Sequence, residues 1–218
     1  PHIDEILTQY RFDLAAVVCS HGHVDHVADA AQLANDHHVP LWLHPADLAM
    51  LTNPALGLGP GSEILIRQVL GSTRLPAPVD LRELADGQCL ESAGVTLEVI
   101  HAPGHTPGCV VLLGDDDGSP VVFSGDIHSF WSNDLTVDGR TVASEFVTSS
   151  ITSDGPPQAH LQSMRDAHSH VHFAESRQRG YTLVEIDGGT LTSHFRTLGD
   201  VTDPNASLST LRSFVIED

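Results

Sequence analysis

The sequence predicts an α/β protein that closes in antiparallel strands. Three observations carry that reading. Two short apolar runs near the start flank a segment with helical spacing, a β-α-β order. Polar loops rich in His, Gly and Pro stand at the ends of several apolar runs. The last 40 residues hold three segments of strand type.

Taken in order, Leu14 to Cys19 (LAAVVC) is a short strand-type run that ends in SHGHVDH. The following VADAAQLANDHH places Val27, Ala30, Ala31 and Ala34 on one helical face. Val39 to His44 (VPLWLH) reads as a second buried strand, parallel to the first because a helix links them. Residues 52 to 78, rich in Gly and Pro, read as a long surface excursion. Strand signals resume at 94–102 (GVTLEVIHA), 108–114 (GCVVLLG) and 120–126 (PVVFSGD). The GDDDGSP between the last two is a hairpin turn; its aspartates lack the alternating ligands and distal Glu of a calcium loop. Residues 140 to 160 are polar, and a His-bearing helical or loop stretch follows. GYTLVEID (180–187), TLTSHFRT (190–197) and LRSFVIED (211–218) close the chain, with a hairpin at Asp187-Gly188-Gly189.

Ten basic against 29 acidic side chains give a net charge of −19. That field repels phosphate backbones and anionic lipid, which argues against nucleic acid or a membrane as partner; the partner expected is a small-molecule substrate. No run approaches the roughly 20 apolar residues of a membrane span. The chain opens at Pro1 without a charged-then-apolar leader, so a cytoplasmic protein is expected. Cys19, Cys89 and Cys109 are odd in number and widely spaced, which points to reduced, mostly buried thiols.

The chemistry concentrates in His21-Gly22-His23-Val24-Asp25-His26. In an extended loop, residues two apart project to one side, so His21 and His23 can share a metal. Asp25 and His26 follow as the chain turns into the helix and can reach a second. Imidazole with carboxylate suits zinc, and iron or manganese nearly as well. Polar residues capping a helix would account for Asp25 but not for three histidines. A second piece is His101-Ala102-Pro103-Gly104-His105-Thr106-Pro107-Gly108, where Pro and Gly fix a tight turn that presents His105. The third is Ser124-Gly125-Asp126, also directly after an apolar strand.

HGHVDH, APGHTPG and FSGD, in that order, resemble the metallo-β-lactamase superfamily, especially its glyoxalase II-like hydrolases. HPADL (44–48) and LADGQCLESAGVTLEVIHAPGHTPG (84–108) fit that group as well, and the resemblance covers residues 1–126. It implies that His21, His23 and His105 hold one divalent metal, that Asp25 and His26 hold a second, and that Asp126 bridges both. The implied cofactors are two divalent ions, zinc first and iron or manganese as alternatives. The implied reaction is attack of a metal-bound hydroxide on an ester, thioester, lactam or phosphodiester, with Asp25 and Asp126 as catalytic residues. Family members carry several strands before the first motif, where only about 13 residues precede the strand here. The expected fold is therefore a truncated αββα sandwich of the metallo-β-lactamase type with a C-terminal antiparallel segment. Members also supply a further His to the second metal, and His128 is the candidate for that place.

From about residue 120 the chain resembles a second family. PVVFSGDIHSFWSNDL, TVASEFVTSSITSDGPP, RQRGYTLVEID and VTDPNASLSTLRSFVIED are similar to the C-terminal part of alkaline phosphatase D-type phosphodiesterases. There the GD-x-H element, Asp126 and His128 here, lies at the metal centre. The implied organisation is a metal-binding domain over 1–126 and a phosphatase-like segment over 127–218, joined at a shared strand-Gly-Asp element. The alternatives to the first hydrolase are thus a phosphodiesterase using Asp126 and His128, or an inactive metal-binding remnant. His160, His168, His170 and His172 read as a His-rich surface loop. His37, His38 and His44 read as helix-end and strand-end residues, and Trp42, Phe130 and Trp131 as core or pocket wall.

Overall fold

Short apolar runs make short strands, and the first half of the chain is built from them. The computed structural model describes residues 2–217 apart from Pro60, Ala93, Asp117, Gly118, Thr152, Gly188, Gly189 and Pro204. Its described residues form a mixed α/β protein in two compact units, Pro1–Leu112 and Leu113–Asp218.

The first unit begins with α1 (His2–Tyr10), then β1 (Val17–Val18), α2 (Val24–Val27), α3 (Ala30–Asp36) and β2 (Leu41–Leu43). A 3₁₀ turn (Pro45–Asp47) leads into α4 (Leu48–Thr52), α5 (Ala55–Leu58) and α6 (Glu63–Leu70). β3 (Leu81–Glu83), β4 (Cys89–Ser92) and β5 (Val95–His101) follow, and β6 (Val110–Asp116) begins here and ends in the second unit. β1, β2 and β3 form a parallel sheet, Val17 opposite Leu41 and Leu41 opposite Leu81. β4 and β5 pair antiparallel.

The spacing of Val27, Ala30, Ala31 and Ala34 does what it predicts: all four are buried, packed with Cys19, Leu41, Leu43 and Leu51. The alanines let the helices lie close to the sheet, and Leu41 and Leu43 are completely buried. Each such leucine stabilises by about 1.5–3 kcal/mol relative to exposure. Leu84, Leu90, Val99 and Val110 make a second cluster, against which Trp42 packs under the Arg82 guanidinium.

The expected surface excursion over 52–78 contains two helices. Its glycines punctuate them: Gly59 and Gly71 are C-caps at φ 86° and 69°, and Gly61 has φ 87°. Helix α6 buries Ile66 but leaves Ile64 and Leu65 exposed.

The second unit contains β7 (Ser119–Ser124), β8 (Phe130–Val137), β9 (Arg140–Val147), α7 (Gln158–Ala167) and β10 (Val171–Glu175), with strand order β10-β8-β9-β7. β7 and β9 are parallel, the other pairs antiparallel. β9 lies in the stretch that composition marks only as polar. Its place comes from the turn Asp138-Gly139, both at positive φ (50° and 74°), which matches the twist of a two-residue hairpin. β11 (Arg179–Asp187), β12 (Thr190–Leu198) and β13 (Leu208–Glu217) form an antiparallel sheet. The β11–β12 ladder runs to Asp187 opposite Thr190, while Gly188 and Gly189 of the expected turn lie outside the described residues, as do Asp117 and Gly118 of the other. Along β12, Leu191, Ser193, Phe195 and Thr197 alternate inward. Val121, Phe130, Phe146, Leu191 and Phe195 form the core there, and Trp131 packs with Leu161 and Val171 in another.

All three cysteines are free thiols. Cys19 is buried, and burial pushes its pKa up to about 12; Cys89, against expectation, is exposed. Among the described residues no helix is long and apolar enough to cross a membrane.

Candidate metal centre

Beyond the two residues of β1 the chain stays hydrogen-bonded on both sides. The Cys19 N–H donates to Trp42 O, and Ser20 O accepts from the Val110 N–H (2.8 Å). The chain then runs extended through His23 (φ −64°, ψ 148°), whose carbonyl accepts the first helical bonds of α2 from His26 and Val27. His21 is thereby buried and His23 half-buried, while Asp25 and His26 ride the first turn of α2. The Asp25 Oδ2 stands 3.8 Å from His26 Nε2.

The loop between β5 and β6 carries His105. It is closed by Ala102 N–H to Cys109 O (2.9 Å) and Gly104 N–H to Thr106 O (3.1 Å), the tight turn that its Pro and Gly content requires. Although 84 positions separate them in the chain, the rings of His21 and His105 have centroids 4.8 Å apart; His23 and His105 are 4.4 Å apart. His21 lies 4.9 Å from His23 and 4.0 Å from His26. One ring nitrogen of each of His21, His23 and His105 lies within 4.8 Å of the other two. Three imidazole nitrogens gathered this closely are a donor set for a divalent cation such as zinc, which takes three protein ligands and leaves a position open in catalytic sites. The residues present therefore fit a metal.

Asp126 and His128 lie in the second unit, on the loop after β7. Both hold positive φ (75° and 52°), a conformation non-glycine residues adopt rarely and mostly where surrounding structure imposes it. The loop is fastened at His128. Its carbonyl accepts from Arg179 Nη1 (2.9 Å), and the same guanidinium donates to Ser149 Oγ and Ser176 O. His128 Nδ1 lies 3.2 Å from Asp154 O. Along the His-rich stretch, His168 and His170 are ring neighbours at 5.4 Å and His172 pairs with Asp134 (3.0 Å). Among the described residues that stretch forms no group of three ligating side chains. His37 caps α3 and His44 the 3₁₀ turn, while His44 stacks on His101 at 4.0 Å. Burial and the neighbouring His101 hold the His44 imidazole below its ordinary pKa.

Sequence reasoning missed Asp47. This carboxylate is completely buried and accepts three hydrogen bonds: Gly22 N–H (2.9 Å), Thr106 O–H (2.6 Å) and Gly108 N–H (2.8 Å). Its signal was present in HPADL, an Asp four residues past a strand end, but an Asp before a helix reads first as a cap. Gly57 was also missed; a Cβ there would meet His23 Cδ2 at 2.6 Å, so α5 presses its backbone against that imidazole.

Comparison with known proteins identifies the family. The family model of the metallo-beta-lactamase superfamily matches residues 9–176. An uncharacterized protein of Mycobacterium tuberculosis is 37% identical over 125 residues, 56% of this chain and 54% of that one. The hydroxyacylglutathione hydrolase of Cupriavidus taiwanensis is 33% identical over 125 residues, 57% of this chain and 40% of its own. Alkaline phosphatase D of Bacillus subtilis is 32% identical over 105 residues, 44% of this chain and 18% of its own. The chain spans about half the length of the mycobacterial relative. With the family model covering well over half of its length, the chain belongs to the metallo-beta-lactamase superfamily.

Proposed function

We propose that this protein is a metal-dependent hydrolase of a small molecule with an electrophilic carbonyl or phosphoryl centre. The observation that carries the reading is the convergence of His21, His23 and His105 from two loops. His21, His23 and His105 hold one divalent ion, zinc in the first instance. Asp25 and His26 would hold a second, as the family resemblance implies. A divalent pair lowers the pKa of a shared water toward neutrality and stabilises charge on the substrate oxygen. Asp25, exposed in the first turn of α2, is the residue we assign to accept and pass on a proton. The hydroxyacylglutathione hydrolase relative favours a thioester among the carbonyl substrates.

The paired positive-φ residues Asp126 and His128, on a loop fastened by Arg179, favour a second reading. In it the chain cleaves phosphodiesters, in keeping with its alkaline phosphatase D relative. The two readings separate cleanly. The first expects His105→Ala to lower metal affinity by more than about 100-fold, beyond the 10–100-fold cost typical of losing an outer hydrogen-bonding partner, and to abolish thioester turnover. The second expects phosphodiester turnover that survives His21→Ala and is lost in His128→Ala. Elemental analysis with a thioester and phosphodiester panel decides between them. Purified protein with no bound metal under zinc-replete conditions would falsify both.

A further inference from the structure

We infer that Asp47 is a positioning residue that fastens the His21–His23 loop to the His105 loop and so sets the spacing of the three imidazoles. The inference rests on the metal-site reading above and concerns a residue outside the ligand set. Gly22 lies between His21 and His23, while Thr106 and Gly108 lie one and three residues beyond His105. Both loops therefore hang on one carboxylate, Oδ2 receiving Gly22 N–H and Thr106 O–H and Oδ1 receiving Gly108 N–H.

The ordinary reason for an Asp at this position is absent. Asp47 directly precedes α4, yet its side chain makes no capping bond to that helix. The carboxylate turns away from α4 toward the two loops, with no solvent exposure. The loops are shaped to receive it. A Cβ on Gly22 would meet Asp47 Cβ at 2.9 Å, and one on Gly108 would meet Asp47 Cγ at 2.7 Å. Glycine at both positions is what lets the two backbones approach one carboxylate. Outer partners of this kind orient ligands and tune metal affinity.

The test uses the purified full chain and Co²⁺ as probe, reading affinity and the visible d–d spectrum. Circular dichroism first establishes the temperature range over which each metal-free variant is folded. Asp47→Asn keeps the volume but turns an NH₂ group toward at least one of the three donors. It is expected to weaken Co²⁺ binding about 10–100-fold and to alter the spectrum. Thr106→Val removes a single bond and is expected to weaken binding by up to about tenfold, with Thr106→Ser restoring the wild-type value. A purely structural role would lower the melting temperature yet leave affinity and spectrum of the folded protein unchanged. Wild-type affinity and spectrum in the folded Asp47→Asn variant overturn the inference. Should that variant not fold, unchanged values in Thr106→Val do so instead. A wild-type chain that takes up no Co²⁺ sinks the metal-site reading itself, and this inference with it.

Discussion

The two units solve different problems with different materials. The first has strands of two to seven residues, small side chains under its helices and a buried carboxylate joining its loops. The second has strands of up to ten residues and a core in which Phe130, Phe146 and Phe195 are completely or almost completely buried. Six of the seven phenylalanines (123, 130, 146, 173, 195 and 214) fall there. Short elements leave much of the first unit as loop, where chemistry-bearing residues can gather. Long paired strands stacked with aromatic rings supply rigidity by area. Loop geometry in the first unit accordingly depends on directional hydrogen bonds, whereas the second depends on volume.

That contrast can be sharpened by mutation. The largest effect is expected from Phe195→Ala, which empties a completely buried position whose ring contacts Phe130 at 4.8 Å and Phe214 at 5.4 Å. Urea unfolding should show a loss of about 3–5 kcal/mol; a loss below about 1 kcal/mol would mean that volume is not what holds this unit. In the first unit, a methyl added at Gly22 meets Asp47 at 2.9 Å, while at Gly104 it meets nothing within 4 Å. Gly22→Ala should therefore cost about 1–3 kcal/mol, with Gly104→Ala within about 0.5 kcal/mol of wild type. Equal costs at the two positions would contradict the idea that hydrogen-bonded packing around Asp47 shapes these loops.

The smallest effect is electrostatic and pH-dependent. The Arg177 guanidinium, bonded to Glu175 at 2.7 and 2.9 Å, holds that carboxyl below its ordinary pKa of 4.5. A depressed carboxyl stabilises the fold above the unfolded pKa and loses that contribution as pH falls through the folded value. Glu175→Gln should therefore lower stability by less than about 1 kcal/mol at pH 7, since Arg177 is largely exposed and screened. The deficit should shrink as the solution is acidified below pH 4.5. A deficit that is constant with pH would assign Glu175 a packing role.

Much of the α/β class was legible from local pattern: the apolar runs, the alanine-rich helical face and the alternation along β12 each have a period that a chain segment displays by itself. The HGHVDH and APGHTPG loops were legible because packing gives no reason for so many imidazoles beside glycine and proline. What escaped was non-local. β8 and β9 are specified by their turn at Asp138-Gly139 and by pairing on both sides, not by an apolar run. Helices α5 and α6 were hidden by glycines that end helices and so look like coil. The loop carrying Asp126 and His128 escaped as well, because the His128 carbonyl is held by Arg179, 51 residues beyond it. Asp47 escaped for the same reason, since its partners are visible only once the chain has folded.

The three bonds to Asp47 close loops of 25, 59 and 61 residues. Closure of such loops costs entropy before any contact rewards it, so this junction joins segments far apart in the chain at an entropic cost. During synthesis, the HGHVDH hexapeptide emerges long before the turn that completes it. The three imidazoles of the proposed site can therefore come together only after residue 108 has left the ribosome.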